Sequence, residues 1–215
     1  MDALNVVVIV AVQDASRAKS RLAAHLDPGQ RHSLVQAMLD DLLTAVREVH
    51  AGLVFVVSPV TGYDAVAHKH QAEVLRDPGS GYLPAVMLGL AHVANNGAAL
   101  VLPGDLPQAR GEDLAALLEA LRHAPVVLAP SVDGGTCALG LRPPGVLTPA
   151  FGLDSANRHR EAARAAGLQM REFHLPSLSR DVDTIEDLKA VWPHVGGATA
   201  AILDQLQIVR PRPNP

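Results

Sequence analysis

Cysteine is all but absent: Cys137 stands alone in a chain of 215 residues, which excludes an internal disulfide framework and a cysteine-built zinc site. Aromatic residues are nearly as scarce, with three Phe, two Tyr and one Trp making up 3% of the chain. Stacking platforms for nucleobases are hard to assemble from so few rings. Basic excess is missing as well, since the formal net charge is −4, so nucleic acid is not an expected partner. No apolar run approaches the ~20 residues of a membrane span. The N-terminus has no basic segment ahead of its apolar run, which argues against a secretory signal. Three motifs are lacking too: G-x-x-x-x-G-K-[S/T], G-x-G-x-x-G after the first strand, and G-x-S-x-G. Their absence argues against a P-loop NTPase, a dinucleotide-binding enzyme and an α/β hydrolase. The expectation is a soluble, cytoplasmic protein with no membrane contact.

What the chain does have is aliphatic bulk, 48% hydrophobic overall. Leu4–Val10 is a continuous β-branched run, which suits a strand covered on both faces of a parallel sheet. Leu53–Val57, Ala99–Leu102 and Val126–Ala129 repeat it, and Thr136–Leu141 and Met170–His174 read as later strands. Between them, His32–Val49 carries Leu34, Val35, Met38, Leu42, Leu43 and Val46 at helical spacing. Asp113–Leu121, Ser155–Ala166 and Thr184–Trp192 also read as helices, Ser155–Ala166 capped by Asp154 or Ser155 and stopped by Gly167. Strand and helix alternate, so the fold class is α/β, a doubly wound sheet in a single domain over residues 1–209. The Pro-rich tail 210–215 reads as disordered. The stretch Ala198–Ile208 has apolar residues for packing on its own sheet or on a second chain, which leaves a homodimer open.

Four short segments carry residues suited to chemistry. The loop after the first strand holds Arg17, Lys19 and Arg21, placed to grip phosphates or simply to be solvated. Gly104-Asp105-Leu106-Pro107 follows a strand, where a carboxylate can hold Mg²⁺ or serve only as a turn residue. Asp181 and Asp183 lie two apart in an extended segment, so they share a face, and like charges that close call for a cation. Asp183 also reads as an N-cap, with Glu186 three residues on. Finally, Gly152 and Ser155 open a helix whose free N–H groups and dipole suit an anion, or simply cap it ahead of a solvated basic face formed by Arg158, His159 and Arg160. His68 and His70 read as surface residues.

In order along the chain, Lys19-Ser20-Arg21-Leu22, Gly104-Asp105-Leu106-Pro107, Asp133-Gly134-Gly135-Thr136, Phe151-Gly152…Ser155…Arg158-His159 and Asp181-Val182-Asp183-Thr184 resemble the guanylyltransferases of coenzyme F420 biosynthesis. The resemblance covers essentially the whole chain. It implies a Rossmann-like, mixed but mostly parallel sheet of the nucleotide-diphospho-sugar transferase or MobA-like kind. It implies transfer of GMP from GTP to phosphoenolpyruvate or 2-phospho-L-lactate, with two Mg²⁺ ions. Asp105, Asp181 and Asp183 would hold the metal, Thr136, Gly152 and Ser155 the phosphorylated three-carbon acid, and Lys19 and Arg21, catalytic with Asp105, would belong to the nucleotide loop, with Arg17, Gln13 and Gly81 also binding substrate. The family's P-V-K is Ala11-Val12-Gln13 here, its G-L-N is Gly81-Tyr82-Leu83, and Cys137 stands where Asn is frequent. The other readings are a related nucleotidyltransferase with another nucleotide or acceptor, and a weakened nucleotide-binding partner protein.

Overall fold

The computed structural model describes residues 4–15 and 19–208. Arg17 and the 210–215 tail lie outside these residues. Seven strands form one sheet: β1 (Val6–Ala11), β2 (Val54–Ser58), β3 (Glu73–Arg76), β4 (Ala98–Pro103), β5 (Val126–Pro130), β6 (Thr136–Leu141) and β7 (Met170–Glu172). Their order across the sheet is β3-β2-β1-β4-β6-β5-β7. All pairings are parallel except those of β6, which runs antiparallel to both β4 and β5. The tight turn between β5 and β6 forces that reversal, because a parallel return would need a long crossover.

Alternation along β1 shows why its sequence is apolar throughout. Val8 and Val10 pack on one side of the sheet, and Val7, Ile9 and Ala11 on the other. The first side is covered by α1 (Pro28–Val49), α2 (Asp64–Lys69), α4 (Gly111–Ala120), α6 (Ile185–Val191) and α7 (Gly197–Gln205). The second is covered by α3 (Tyr82–Ala91) and α5 (Ser155–Ala165).

The expected strands and helices are all present, and four elements add to them. Helix α1 starts one turn early, at Pro28, because Asp27 caps it: its carboxylate accepts from Gln30 N at 2.8 Å, and the Gln30 side chain accepts from Asp27 N. Strand β3 and helix α2 are too short to show a period. Helix α3 is apolar nearly all round and carries Pro84 in its first turn, where a missing N–H does no harm. Helix α7 packs on α1 of the same chain, with Leu203 fully buried and Asp41 accepting from Ala198 N at 3.0 Å and Thr199 N at 2.8 Å. The Ala198–Ile208 segment therefore packs on its own domain. Among the described residues, no helix is long and apolar enough to cross a membrane.

Two local readings are corrected. The cap of α6 is Thr184, not Asp183: Thr184 Oγ1 accepts from Asp187 N at 3.1 Å, and Asp187 completes the reciprocal pair in place of Glu186. This shift by one residue frees Asp183 from the helix. His70 is not a surface residue; it is largely buried and its Nε2 lies 2.6 Å from Asp40 Oδ1, while His68 is exposed.

Candidate active site

The parallel strands β1 and β4 end side by side, and the loops leaving them open a cleft of about 680 Å³. Gln13, Lys19, Arg21, Gly81, Asp105, Thr136, Gly152, Ser155, Asp181 and Asp183 all line it. The described carboxylates, the two cations of the first loop and the small residues of the α5 start thus meet in one place, while Arg158, His159 and Arg160 do not line it. This is where an open α/β sheet binds ligands, outside the carboxyl ends of its strands.

Each side chain has a local cause for its position. Gly104 N donates to Ala11 O at 3.1 Å, which holds the β4 loop against the end of β1. A Cβ on Gly104 would fall 2.5 Å from Val12 Cγ2, so only glycine allows this approach and sets Asp105 at the mouth of the cleft. Val182 is fully buried in the core, and the extended backbone turns its neighbours Asp181 and Asp183 the other way, into the cleft. The loop after β1 rests on Tyr63, a fully buried residue. The Tyr63 hydroxyl accepts from Ala15 N at 3.3 Å and donates to Gln13 O at 3.4 Å, and its ring stacks on His32 at 4.9 Å. The sequence offered no signal for Tyr63, because a lone Tyr in a turn has no period or motif.

Asp105, Asp181 and Asp183 each offer an oxygen within 4.8 Å of the others. The Lys19 ammonium sits among them, 4% exposed, bonded to Asp105 and at 2.7 Å from Asp183 Oδ1. Lys19 therefore engages the carboxylates and does not extend toward open cleft. Burial alone would lower its pKa, but Asp105 and Asp183 outweigh that and raise it. Asp181 has no such partner: burial, then the charges of Asp105 and Asp183, push its carboxyl up to about 6 against the pull of Lys19. Arg21 lines the cleft exposed, and among the described residues it meets no carboxylate at ion-pair distance. Cys137 is buried, and burial raises its thiol far above the ordinary value, so it is no nucleophile.

Across the cleft, the β5–β6 turn and the start of α5 are tied together. Gly152 adopts φ +106°, which turns the chain into α5. Ala156 N donates to Gly134 O and Ser155 N to Gly152 O, both at 3.1 Å. The free N–H groups expected here are thus partly used within the protein, and the hydroxyls carry more of the polar character. Thr136 Oγ1 lies 2.8 Å from Ser155 Oγ and 3.1 Å from His159 Nδ1. His159 Nε2 accepts from Ala150 N at 2.9 Å, so the ring proton is on Nδ1 and is donated to Thr136. Two hydroxyls that share one hydrogen bond, with one already accepting from His159, keep one O–H directed away from the pair. Arg158 bends back to Phe151 O and Leu153 O, and Arg160 pairs with Glu172, so neither basic side chain enters the cleft.

His159 is fully buried, and burial, aided by Arg158, lowers its pKa from 6.5 to about 4. The folded chain keeps it neutral while the unfolded chain takes up a proton below pH 6.5. Its contribution to stability is therefore complete above pH 6.5 and is lost as pH falls toward 4. His159→Gln is expected to unfold at a lower temperature than wild type at pH 7.5, with the gap narrowing by pH 4.5. Thermal unfolding of both proteins across that range measures it, and a constant gap would refute the neutral buried imidazole.

The fold is that of nucleotidyltransferases. A Desulfovibrio desulfuricans G20 protein described as a nucleotide-diphospho-sugar transferase superposes with a TM-score of 0.72 at 17% identity, covering 95% of this chain and 97% of its own. A cytidylyltransferase from Leptospira borgpetersenii superposes at 0.60 and 14% identity, with 99% of each chain covered. Sequence comparison narrows the class. The phosphoenolpyruvate guanylyltransferase of Sphaerobacter thermophilus is 39% identical over 89% of this chain and 94% of that protein. The 3-phospho-D-glycerate guanylyltransferase of Phenylobacterium zucineum is also 39% identical, over 93% and 95%. The family model for CofC-like guanylyl transferases matches residues 6–210, and the chain belongs to that family.

Proposed function

We propose that this protein transfers GMP from GTP to the phosphate of phosphoenolpyruvate or 2-phospho-L-lactate, releasing pyrophosphate, as a step in making coenzyme F420. The observation that carries this reading is one cleft with three carboxylates on one wall and a hydroxyl pair at a helix start on the other. Carboxylate oxygens are the hard donors that Mg²⁺ takes, and three of them on a shared site fit it. Asp105, Asp181 and Asp183 would hold the Mg²⁺ that the reaction calls for, two ions on this reading. Bound there, Mg²⁺ offsets the charge on the attacking and leaving phosphate oxygens.

An oxygen of the acceptor phosphate forms a bond to the α-phosphorus of GTP, and the bond from that phosphorus to the β-bridging oxygen breaks. The acceptor phosphate is already ionised, so no side chain has to remove a proton, and none in the cleft is paired as a nucleophile with a base. The work of the chain is positioning and charge stabilisation. Arg21 grips the triphosphate with Gln13 in the same cleft, and Arg17 is assigned to the triphosphate from the sequence alone; Gly81 edges the nucleotide pocket, and Thr136, Gly152 and Ser155 hold the three-carbon acid. Lys19 acts from among the carboxylates, where its buried ammonium bonds Asp105 and Asp183.

Pyrophosphate release from GTP and Mg²⁺ is the direct test, with phosphoenolpyruvate, 2-phospho-L-lactate and 3-phospho-D-glycerate supplied one at a time. ATP, CTP and UTP replace GTP in parallel. Release that requires GTP and one of the first two acids supports the proposal. Release only with 3-phospho-D-glycerate moves the acceptor to that of the Phenylobacterium relative. Release without preference for GTP refutes the nucleotide assignment. Ser155→Ala is expected to raise the KM for the acid roughly tenfold and leave that for GTP unchanged. Equal rises in both would place Ser155 outside the acid pocket.

A further inference from the structure

One residue that lines the cleft carries a buried polar atom with no partner. The Tyr82 hydroxyl oxygen is buried and makes no hydrogen bond, one of three such side-chain atoms among the described residues. The other two, Arg31 Nε and Thr199 Oγ1, belong to residues that do not line the cleft; Tyr82 does. A buried hydroxyl left unpaired is costly, and native chains keep one chiefly where water, an ion or a ligand completes it.

The surroundings of Tyr82 say which ligand. Its ring meets Phe151 edge-on at 4.9 Å, Phe151 meets His159 at 5.5 Å, and His159 donates to Thr136. Tyr82 thus stands in the same wall as the Thr136–Ser155 pair. Burial, and after it the charges of Asp105 and Asp181, raise the pKa of its phenol well above the ordinary value, so it stays protonated at neutral pH. A protonated phenol is a donor, and those carboxylates do not accept from it here. The other donors on this wall are largely committed: Ser155 N and Ala156 N to backbone carbonyls, Arg158 to the Phe151 and Leu153 carbonyls, His159 to Thr136. A phosphorylated acid arriving on this wall brings many acceptor oxygens and finds few free donors.

We propose that the Tyr82 hydroxyl is an acceptor-binding group, donating a hydrogen bond to an anionic oxygen of the phosphorylated acid. This rests on the guanylyl transfer reading above and adds a residue to it. The hydroxyl makes no contribution to the empty fold, and its role begins when the acid binds.

Tyr82→Phe removes the one atom and keeps the ring on Phe151. Three readouts are taken on wild type and variant: thermal unfolding without ligands, the KM for the acid at saturating GTP, and the KM for GTP at saturating acid. The expected result is an unfolding temperature unchanged or slightly raised, a KM for the acid about tenfold higher, and a KM for GTP within twofold. A KM for the acid within twofold of wild type overturns the proposal, and so does an equal rise for both substrates. A fall in unfolding temperature that accompanies the KM change also overturns it, since the hydroxyl would then support the fold. Wild-type protein that releases no pyrophosphate with any acid sinks the guanylyl transfer reading and this inference together. Active wild type with an unaffected variant sinks this inference alone.

Discussion

Asp105→Asn is expected to lower kcat by about three orders of magnitude while the chain remains folded. The substitution keeps the size of the side chain and removes its charge. Asp105 faces both other carboxylates within 4.8 Å and bonds to Lys19. Asn offers one neutral oxygen where a cation needs an anionic one, so metal affinity and charge stabilisation fall together. The buried ammonium keeps Asp183 at 2.7 Å, which limits the structural damage to a few degrees of unfolding temperature. The measurement is pyrophosphate release at saturating GTP and acid over a range of Mg²⁺, beside circular dichroism. Wild-type turnover in a folded Asp105→Asn protein would remove Asp105 from the metal site.

The second large effect is expected from Lys19→Met. This ammonium is 4% exposed and lies where a divalent ion would take the same oxygens of Asp105 and Asp183. Without it, three carboxylates face each other with no internal cation, and Asp181, already raised to about 6, is held higher. Removing the buried partner leaves like charges facing one another, though water reaches Asp105 and Asp183 and screens part of that repulsion, so the metal-free variant unfolds below wild type. Mg²⁺ then meets no competitor, and by linkage its addition raises the unfolding temperature more in the variant than in wild type. Turnover still falls by about two orders of magnitude, because Asp105 and Asp183 lose the ammonium that fixes their positions in the site. Differential scanning fluorimetry with and without Mg²⁺ reads the first effect and pyrophosphate release the second. A smaller Mg²⁺ shift in the variant would show that Lys19 helps to hold the ion and does not compete with it.

The two aspartates of 181–183 illustrate how much of the site could be read from residues. Their spacing placed them on one face, and the structure has them so because Val182 must be buried. The alternative role of Asp183 as a cap failed for a local reason: Thr184 and Asp187 form a better reciprocal pair one residue later. The α5 start was legible as a polar turn into a helix. Whether its N–H groups were free was not, because Gly134, which takes the one from Ala156, comes from a different strand turn. Helix α3 escaped notice because an all-apolar helix has no amphipathic period, and its Pro84 reads as a breaker unless it is known to lie in the first turn.

The chain by itself determined the α/β class, the run of strands and the short segments that carry chemistry. These follow from local physics: β-branched runs, helical spacing, caps, and strand alternation act over a few residues. Only the tertiary structure decided what those segments do to one another. Lys19 finds its carboxylates 86 and 164 residues away, His159 sets the proton on a threonine from another element, and the Tyr82 hydroxyl is left without a partner. Such pairings depend on which strands lie side by side and how deep each side chain is buried, and burial is a property of the packed sheet and its helices, which no stretch of sequence carries alone.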